Sequence, residues 1–293
     1  MLKRRWNALK LELVIEPRAP LLIKSGTASP NPSLPDMQFV RTMTPQGETV
    51  FIPGSSLKGT FRSFTEKILR TVNSDWACEP FPSSPSYCGR RLGSEDNPAA
   101  VYQRSCRACK IYGNTRLRGR LSFADAFPDS EVKTETRYGV AISRLTNAVA
   151  VGPFDIEVLV QGKFKTSLVL ENFEVWQLGL VALTLQALSD GLVKVGFGKN
   201  RGFGEVNVSV TQAVLEMAKR SPHPRDTIWG TGAFVSEEER SAYGLSPDDK
   251  LEGLPEAEES DFGIFIRRVY GPGAWQSIAE KAIASLTKLS EAA

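Results

Sequence analysis

The order in which strands and helices are predicted restricts the fold of this chain more than any other feature. Apolar residues alternate with polar ones from Leu9 to Ile15, which predicts a half-buried strand over residues 8–16. The other core elements are predicted, in chain order, as a helix from Ser55 or Ser56 to about Asn73, a strand at 121–125, a strand pair within 154–170, a helix from Phe173 to Ser189 capped by Asn172, and a strand at 205–210. This order matches the split βαβ arrangement of ferredoxin-like domains, whose open antiparallel sheet is also used by RNA-recognition domains. The predicted fold class is therefore α+β.

Three irregular stretches interrupt that core and are predicted to be insertions within a domain of residues 1–217. The insertions are predicted at residues 17–50, 74–120 and 128–154. The first contains six prolines, and the third suits an extended β-hairpin. Residues 218–293 are predicted to form a C-terminal extension, with a long loop at 218–262 and a helix from Ala274 to about Ser290.

All four cysteines of the chain lie in the second predicted insertion, within a stretch of 32 residues. Their spacing, Cys78-x9-Cys88-x17-Cys106-x2-Cys109, supplies a CxxC pair and two further thiols, the ligand count of a tetrahedral structural zinc site. A disulfide pair and buried free cysteines are the alternatives, and no secretory signal indicates an oxidising compartment. A site with four thiolates has no open coordination position, so the predicted role of Zn²⁺ is to fold this segment.

Two glycine-rich segments, residues 51–62 and 195–204, lie beside the two predicted core helices. Their polar residues are Ser55, Ser56, Lys58 and Arg62 in the first and Lys199, Asn200 and Arg201 in the second. Glycine lets the main chain approach a ligand closely, and unpaired N–H groups at a helix start attract phosphate. We therefore expect both segments to bind RNA, with solvated surface charge as the alternative for each cation. The glycine spacing fits neither a dinucleotide fingerprint nor a P-loop.

The charge distribution is uneven, although the net charge is only +3. Residues 237–261 contain ten acidic and two basic side chains, and the rest of the chain has a net charge of +11. Such a division suggests contact with nucleic acid, although a solvated loop would also account for it. Arg116, Arg118 and Arg120 alternate at strand spacing and are predicted to share one RNA-facing or solvated face.

The sequence also predicts where the protein is located in the cell and whether it crosses a membrane. The chain has no run of about twenty apolar residues, so no membrane span is predicted. Its basic start is not followed by an apolar signal core, and we expect a cytoplasmic location.

Three segments are similar, in the same order, to segments of one protein family. They are Ile52–Arg62, with its Pro-Gly-Ser-Ser-Leu-Lys-Gly run, Cys106–Gly113, with a cysteine pair before an aromatic residue and glycine, and the glycine-rich Gly196–Gly204. Over about residues 9–215 the chain resembles the RAMP superfamily, specifically the repeating backbone subunit of type III CRISPR effector complexes.

The resemblance implies a ferredoxin-like (RRM-like) palm, a zinc-bound insertion and a β-hairpin thumb that includes Arg144. Subunits of this kind stack along a guide RNA (crRNA), beside other RAMP subunits and the large effector subunit, and each thumb displaces one guide nucleotide. Active members cut the complementary target RNA at these regular intervals. The family's catalytic aspartate and the arginine after it correspond to Asp36 and Arg41.

The expected activity is endoribonuclease cleavage by attack of the RNA 2′-hydroxyl, with Mg²⁺ or Mn²⁺ held by Asp36. A histidine-pair ribonuclease is excluded because His223 is the only histidine, and we expect it to be a surface residue. The alternatives are a non-catalytic backbone subunit and a ribonuclease that processes guide RNA. For Asp36 itself, a turn residue is the alternative.

Overall fold

A central antiparallel sheet organises the chain, which is a mixed α/β protein. The computed structural model describes residues 3–26, 34–220 and 224–291. The strands are β1 Asn7–Pro17, β2 Arg41–Thr44, β3 Gly47–Val50, β4 Gly113–Asn114, β5 Leu117–Arg118, β6 Leu121–Phe123, β7 Phe127–Pro128, β8 Lys133–Ile142, β9 Val149–Gln161, β10 Phe164–Glu171, β11 Val206–Ala218, β12 Ile228–Trp229, β13 Lys250–Leu251, β14 Glu258–Phe262 and β15 Phe265–Tyr270. The helices are α1 Gly54–Val72, α2 Cys88–Arg91, α3 Pro98–Arg104, α4 Arg107–Tyr112, α5 Val175–Ser189, α6 Glu237–Tyr243, α7 Pro272–Ala284 and α8 Thr287–Glu291.

Strand β1 lies near the middle of the main sheet, whose order is β14-β15-β11-β1-β10-β6, with β7 also paired to β10. Leu11 of β1 is opposite Leu168 of β10 on one side and Ala213 of β11 on the other, and all three are fully buried. The leucines that alternate along β1 are buried while Lys10 between them is exposed, so the predicted half-buried strand is confirmed. Helices α1 and α5 contact each other and pack against β6 and β11, respectively.

Helix α5 is apolar on all sides because it is covered by the sheet, by α1 and by α7. The prediction that Asn172 caps it is wrong, since the helix begins at Val175 and the side chain of Gln177 accepts a hydrogen bond from the Glu174 N–H at 3.2 Å. Asn172 has a φ of 50°, and its side-chain oxygen accepts from the Trp6 N–H at 2.8 Å. Asn172 therefore connects the end of β10 to the start of β1 and does not cap α5.

Strands β9 and β10 correct the strand pair predicted within residues 154–170. The break at Gly162 is present, but β10 pairs with β1 in the main sheet, whereas β9 pairs with β8 in a separate long hairpin. Only β10 alternates in burial, whereas β9 is exposed at its start and has four consecutive buried residues, Ile156 to Leu159. The alternation of residues in the sequence does not indicate which partner a strand has.

The long loop predicted at 218–262 is also corrected, because this region contains β12, α6, β13 and β14. Strand β14 is fully exposed at the edge of the main sheet, so it has no apolar alternation. In β15 the buried residues are Tyr270 and Arg268, and the guanidinium of Arg268 donates to the carbonyls of Thr227 and Pro224 and to Glu259. Hydrophobic periodicity cannot detect such strands.

No helix within the described ranges has both the length and the apolar character needed to cross a bilayer.

The start of α5 is held by a carboxylate from a distant part of the chain. Both side-chain oxygens of Asp249 accept from the Val175 N–H, at 3.2 and 3.0 Å, and Gly230 leaves the space in which this carboxylate lies. Burial raises the pKa of Asp249 from 3.8 to about 7. The protonated carboxyl therefore stabilises the folded state, and this contribution is lost as the pH rises through about 7.

We predict that Asp249→Asn reduces the pH dependence of stability between about pH 4 and pH 7. Since one pKa unit corresponds to about 1.4 kcal/mol, the free energy of unfolding of the wild type should fall by about 2–4 kcal/mol over this range through Asp249. Urea unfolding at a series of pH values measures the difference between the two proteins. Asp248→Asn, at the exposed neighbour, is the control, and parallel profiles for wild type and Asp249→Asn would contradict the assignment.

Candidate nucleic-acid interface and metal centre

The four cysteines of the second insertion meet in one buried cluster. Their Sγ atoms all lie within 4.8 Å of one another, and those of Cys78 and Cys109 are 3.7 Å apart. Tetrahedral coordination with Zn–S bonds of about 2.3 Å places sulfur atoms about 3.8 Å apart. None of the four is in a disulfide. The cluster therefore has the number, type and spacing of donors that a metal ion needs.

Backbone and cationic donors surround these sulfur atoms. The Cys106 N–H donates to Cys88 Sγ at 3.3 Å and the Cys78 N–H to Cys106 Sγ at 3.4 Å, while Arg62 lies 3.8 Å from Cys109 Sγ. Hydrogen bonds among the thiols lower the pKa of Cys78 and of Cys88 and raise that of Cys109, so two of the four are the most readily ionised. Such donors stabilise thiolates, the form that binds metal.

The cysteine cluster is attached to both core helices. Helix α4, which contains Cys109, packs against α1. Arg107 of α4 lies between two indole rings, 3.9 Å from the centre of Trp76 and 5.5 Å from that of Trp176 in α5. Loss of the cluster would therefore loosen the support of α1 as well as the insertion.

A positively charged groove lies between α1 and the second glycine-rich segment. Its volume is about 330 Å³, and its lining residues are Thr60, Ser63, Phe64, Lys67, Leu192, Val193, Lys194, Lys199 and Asn200. None of its three lysines forms an ion pair with a described residue. Burial lowers the pKa of Lys199, and the nearby like charge of Lys67 lowers it further. The groove is suited to a polyanion.

The glycines of the two segments are required for different reasons, because some make close contacts within the protein and others do not. A Cβ on Gly196 would lie 2.3 Å from the Leu22 carbonyl oxygen, and one on Gly204 would lie 2.1 Å from that of Val195. The segment is attached to the first insertion at both ends, since the Phe197 N–H donates to the Leu22 carbonyl at 2.7 Å and the Gly204 N–H to that of Pro20 at 2.9 Å. Gly59 of α1, in contrast, is exposed with nothing within 4 Å of an added Cβ, so no protein contact explains it.

The phosphate cradle expected at the start of α1 stays a prediction, and several of the N–H groups there already have partners within the protein. The Gly54 N–H donates to the carboxylate of Asp125 at 2.7 Å, and the N–H groups of Ser56 and Leu57 donate to the Pro53 carbonyl. These amides are satisfied, and the Asp125 carboxylate would repel a phosphate there. The helix begins at Gly54, so neither Ser55 nor Ser56 is its cap.

The remaining residues predicted to bind RNA fall into two groups. Arg41, Arg62 and Arg116 form ion pairs with Glu157, Glu66 and Asp96, respectively. Arg118, Arg144, Asn200 and Arg201 are exposed, and Lys58 is half-buried, with its pKa lowered by burial and by Arg62. Arg120 is buried and paired with Glu174, so the row of three arginines does not share one solvent face.

Asp36 lies at the base of the β8–β9 hairpin. Its exposed carboxylate accepts from the Asp155 N–H at 3.0 Å, and Met37 forms a parallel bridge with Ile156 of β9. The hairpin projects with exposed apolar side chains, namely Tyr138, Val140, Ile142, Leu145, Val149 and Val151. Residues 27–33, which precede Asp36, and His223 lie outside the described residues.

Sequence reasoning missed Lys67 and Lys194 of the groove. Helical spacing from Thr60 and Ser63 to Lys67 was the available signal, since positions three, four and seven apart share a face. Lys194 carries no such signal, because only the folded chain brings it opposite α1.

We predict that the purified protein contains about one zinc ion per chain. Cys109→Ser should lose the ion and lower the free energy of unfolding by more than about 3 kcal/mol, since structural zinc contributes about 10–16 kcal/mol of binding free energy in small peptides. Elemental analysis and thermal unfolding measure both effects. Ser83→Ala, an exposed change in the same segment, is the control. Full metal content in the Cys109 variant would contradict the assignment.

We also predict that Lys67→Ala and Lys199→Ala each weaken binding of single-stranded RNA and reduce the salt slope of log K by about one unit. Titrations at several salt concentrations provide this slope. Lys288→Ala, in α8, removes the same charge from an exposed position outside the groove and should leave the slope unchanged. Equal effects of all three substitutions would remove the groove from consideration.

Comparison with known protein families gives one match. The model of the RAMP superfamily matches residues 14–207, which are 194 of the 293 residues and include the groove, the cysteine cluster and the hairpin. A search of curated protein sequences gives no match.

Proposed function

The chain belongs to the RAMP superfamily, and we propose that it is a backbone subunit of a type III CRISPR ribonucleoprotein that binds guide RNA. Family membership implies a CRISPR-associated, RNA-binding subunit. The groove between α1 and residues 195–204 is the main support for the proposal, because it identifies the residues that would contact RNA. Its three lysines have no acidic partner among the described residues, so an RNA backbone supplies the charge they lack.

The proposed palm is ferredoxin-like. Strands β11, β1, β10 and β6 are adjacent and antiparallel in that order, with α1 between β1 and β6 and α5 between β10 and β11. The same arrangement arises when two split βαβ units share one sheet, which supports the assignment. In this proposal residues 1–217 form the RAMP domain, and residues 218–293 extend its sheet and cover α5.

The β8–β9 hairpin is proposed to be the thumb that displaces one guide nucleotide. Its exposed apolar residues and Arg144 in its turn are suited to contact with a base and a phosphate. The cysteine cluster is proposed to hold structural Zn²⁺, since four thiolates leave no position for substrate. Neighbouring RAMP subunits, the large effector subunit and the complementary target RNA are the proposed partners.

The proposed reaction is cleavage of target RNA by its own 2′-hydroxyl. The 2′-oxygen loses its proton to solvent and attacks the adjacent phosphorus, the bond to the 5′-oxygen breaks, and that oxygen takes a proton. The products are a 2′,3′-cyclic phosphate and a 5′-hydroxyl. Alignment of the attacking oxygen accounts for much of the rate in such reactions.

Asp36 is proposed to be the residue that organises this reaction. The Asp155 N–H fixes one carboxylate oxygen, and exposure leaves the other able to hold a hydrated Mg²⁺ or Mn²⁺, which would stabilise charge on the phosphate. No histidine is needed on this route.

A non-catalytic subunit that only holds guide RNA is the second candidate. Arg41, expected to act beside Asp36, is paired with Glu157, and Glu157 also accepts from the Phe39 N–H at 2.9 Å. An arginine neutralised in this way offers little charge to a reacting phosphate, which favours the binding role alone.

We predict that Asp36→Ala in the assembled complex reduces target-RNA cleavage by at least about 100-fold and leaves guide-RNA affinity unchanged. Cleavage rates and guide affinities are measured with and without Mg²⁺. Asp155→Asn is the matched control, because it keeps the backbone N–H that donates to Asp36. Equal cleavage by wild type and Asp36→Ala would favour the second candidate.

A further inference from the structure

A second cavity, of about 360 Å³, lies on the zinc-binding insertion and does not share residues with the RNA groove. Three elements form its walls, with Val101 and Tyr102 from α3, Leu117 and Arg118 from β5, and Tyr243 from α6. A cavity of this size lined by apolar and aromatic side chains is typical of sites for small planar molecules.

The aromatic side chains of this cavity are held firmly. Tyr102 is buried, and its hydroxyl donates to Glu174 and accepts from Gln177 Nε2 at 3.3 Å. The guanidinium of Arg120 lies over the Tyr102 ring, 4.1 Å from its centre, and the ring of Tyr243 is 6.1 Å from that of Tyr102. Tyr102 is therefore a rigid support, and the half-buried ring of Tyr243 beside it is the aromatic surface on which a base can stack.

The charges at the mouth of the cavity point to an anionic substituent on that planar molecule. Arg116 donates to the Glu95 carbonyl at 2.8 Å and to Asp96 at 3.0 Å, which holds the β4–β5 turn in position. Arg118, two residues on, is exposed and forms no ion pair with a described residue, and Lys3 also lines the cavity without one. Two cations near an apolar slot match one base and its phosphate.

We propose that this cavity binds a single nucleotide of RNA, with the base against Tyr243 and the phosphate at Arg118. The site rests on the proposed RNA-binding function and adds a contact away from the groove. A strand held in the groove would thus have a second, separate anchoring point for one of its nucleotides on the zinc-binding insertion.

Isothermal titration of the full-length chain with AMP, UMP and adenosine tests the site. Wild type should bind both monophosphates and, more weakly, adenosine. Arg118→Ala should weaken binding of AMP by about tenfold and leave that of adenosine unchanged, whereas Tyr243→Leu should weaken both. Arg118 is exposed, so its variant is expected to fold, which unfolding curves verify.

The controls separate this proposal from that of the groove. Arg201→Ala, in the glycine-rich segment, should not change AMP binding, although it should weaken binding of longer RNA. No binding of either monophosphate by wild type, or unchanged AMP binding by Arg118→Ala, would overturn the nucleotide site and leave the groove untouched. Failure of longer RNA to bind, with AMP still bound, would instead overturn the proposed function.

Discussion

The pairing of β1 with both β10 and β11 is the constraint on which the rest of the structure depends. Helix α5 connects these two neighbours of β1, so the glycine-rich segment after it must return beside the end of β1. There the backbone of Leu22 meets Gly196, where any side chain would collide. The close contact fixes Lys199 opposite α1 and so produces the groove from the topology of the sheet.

Charge compensation then separates binding residues from structural ones. Many arginines in and around the site are engaged by the protein itself, such as Arg62 by Glu66 and Arg116 by Asp96. The lysines of the groove have no such partners among the residues described, and the acidic residues are concentrated in the C-terminal part of the chain. Net charge alone conceals this division, which makes a chain of charge +3 suited to a polyanion.

Elements with regular burial could be predicted from the sequence, and others could not. The strand at Leu9–Ile15 and the helix after Ser55 are recovered because their apolar residues face one core. Strand β14 was not predicted because it is an exposed edge strand, and β15 because one of its two buried side chains is Arg268. The spacing of the cysteines indicated their cluster, whereas Lys194 reaches the groove only through long-range contacts that no local pattern records.

Photocrosslinking of the chain to single-stranded RNA, followed by mass spectrometry of the crosslinked peptides, tests the central claim most directly. The account predicts crosslinks in the peptides that contain Thr60–Lys67 and Lys194–Arg201, which form the two walls of the groove. Crosslinks confined to other surfaces, such as the exposed edge at β14, would contradict it.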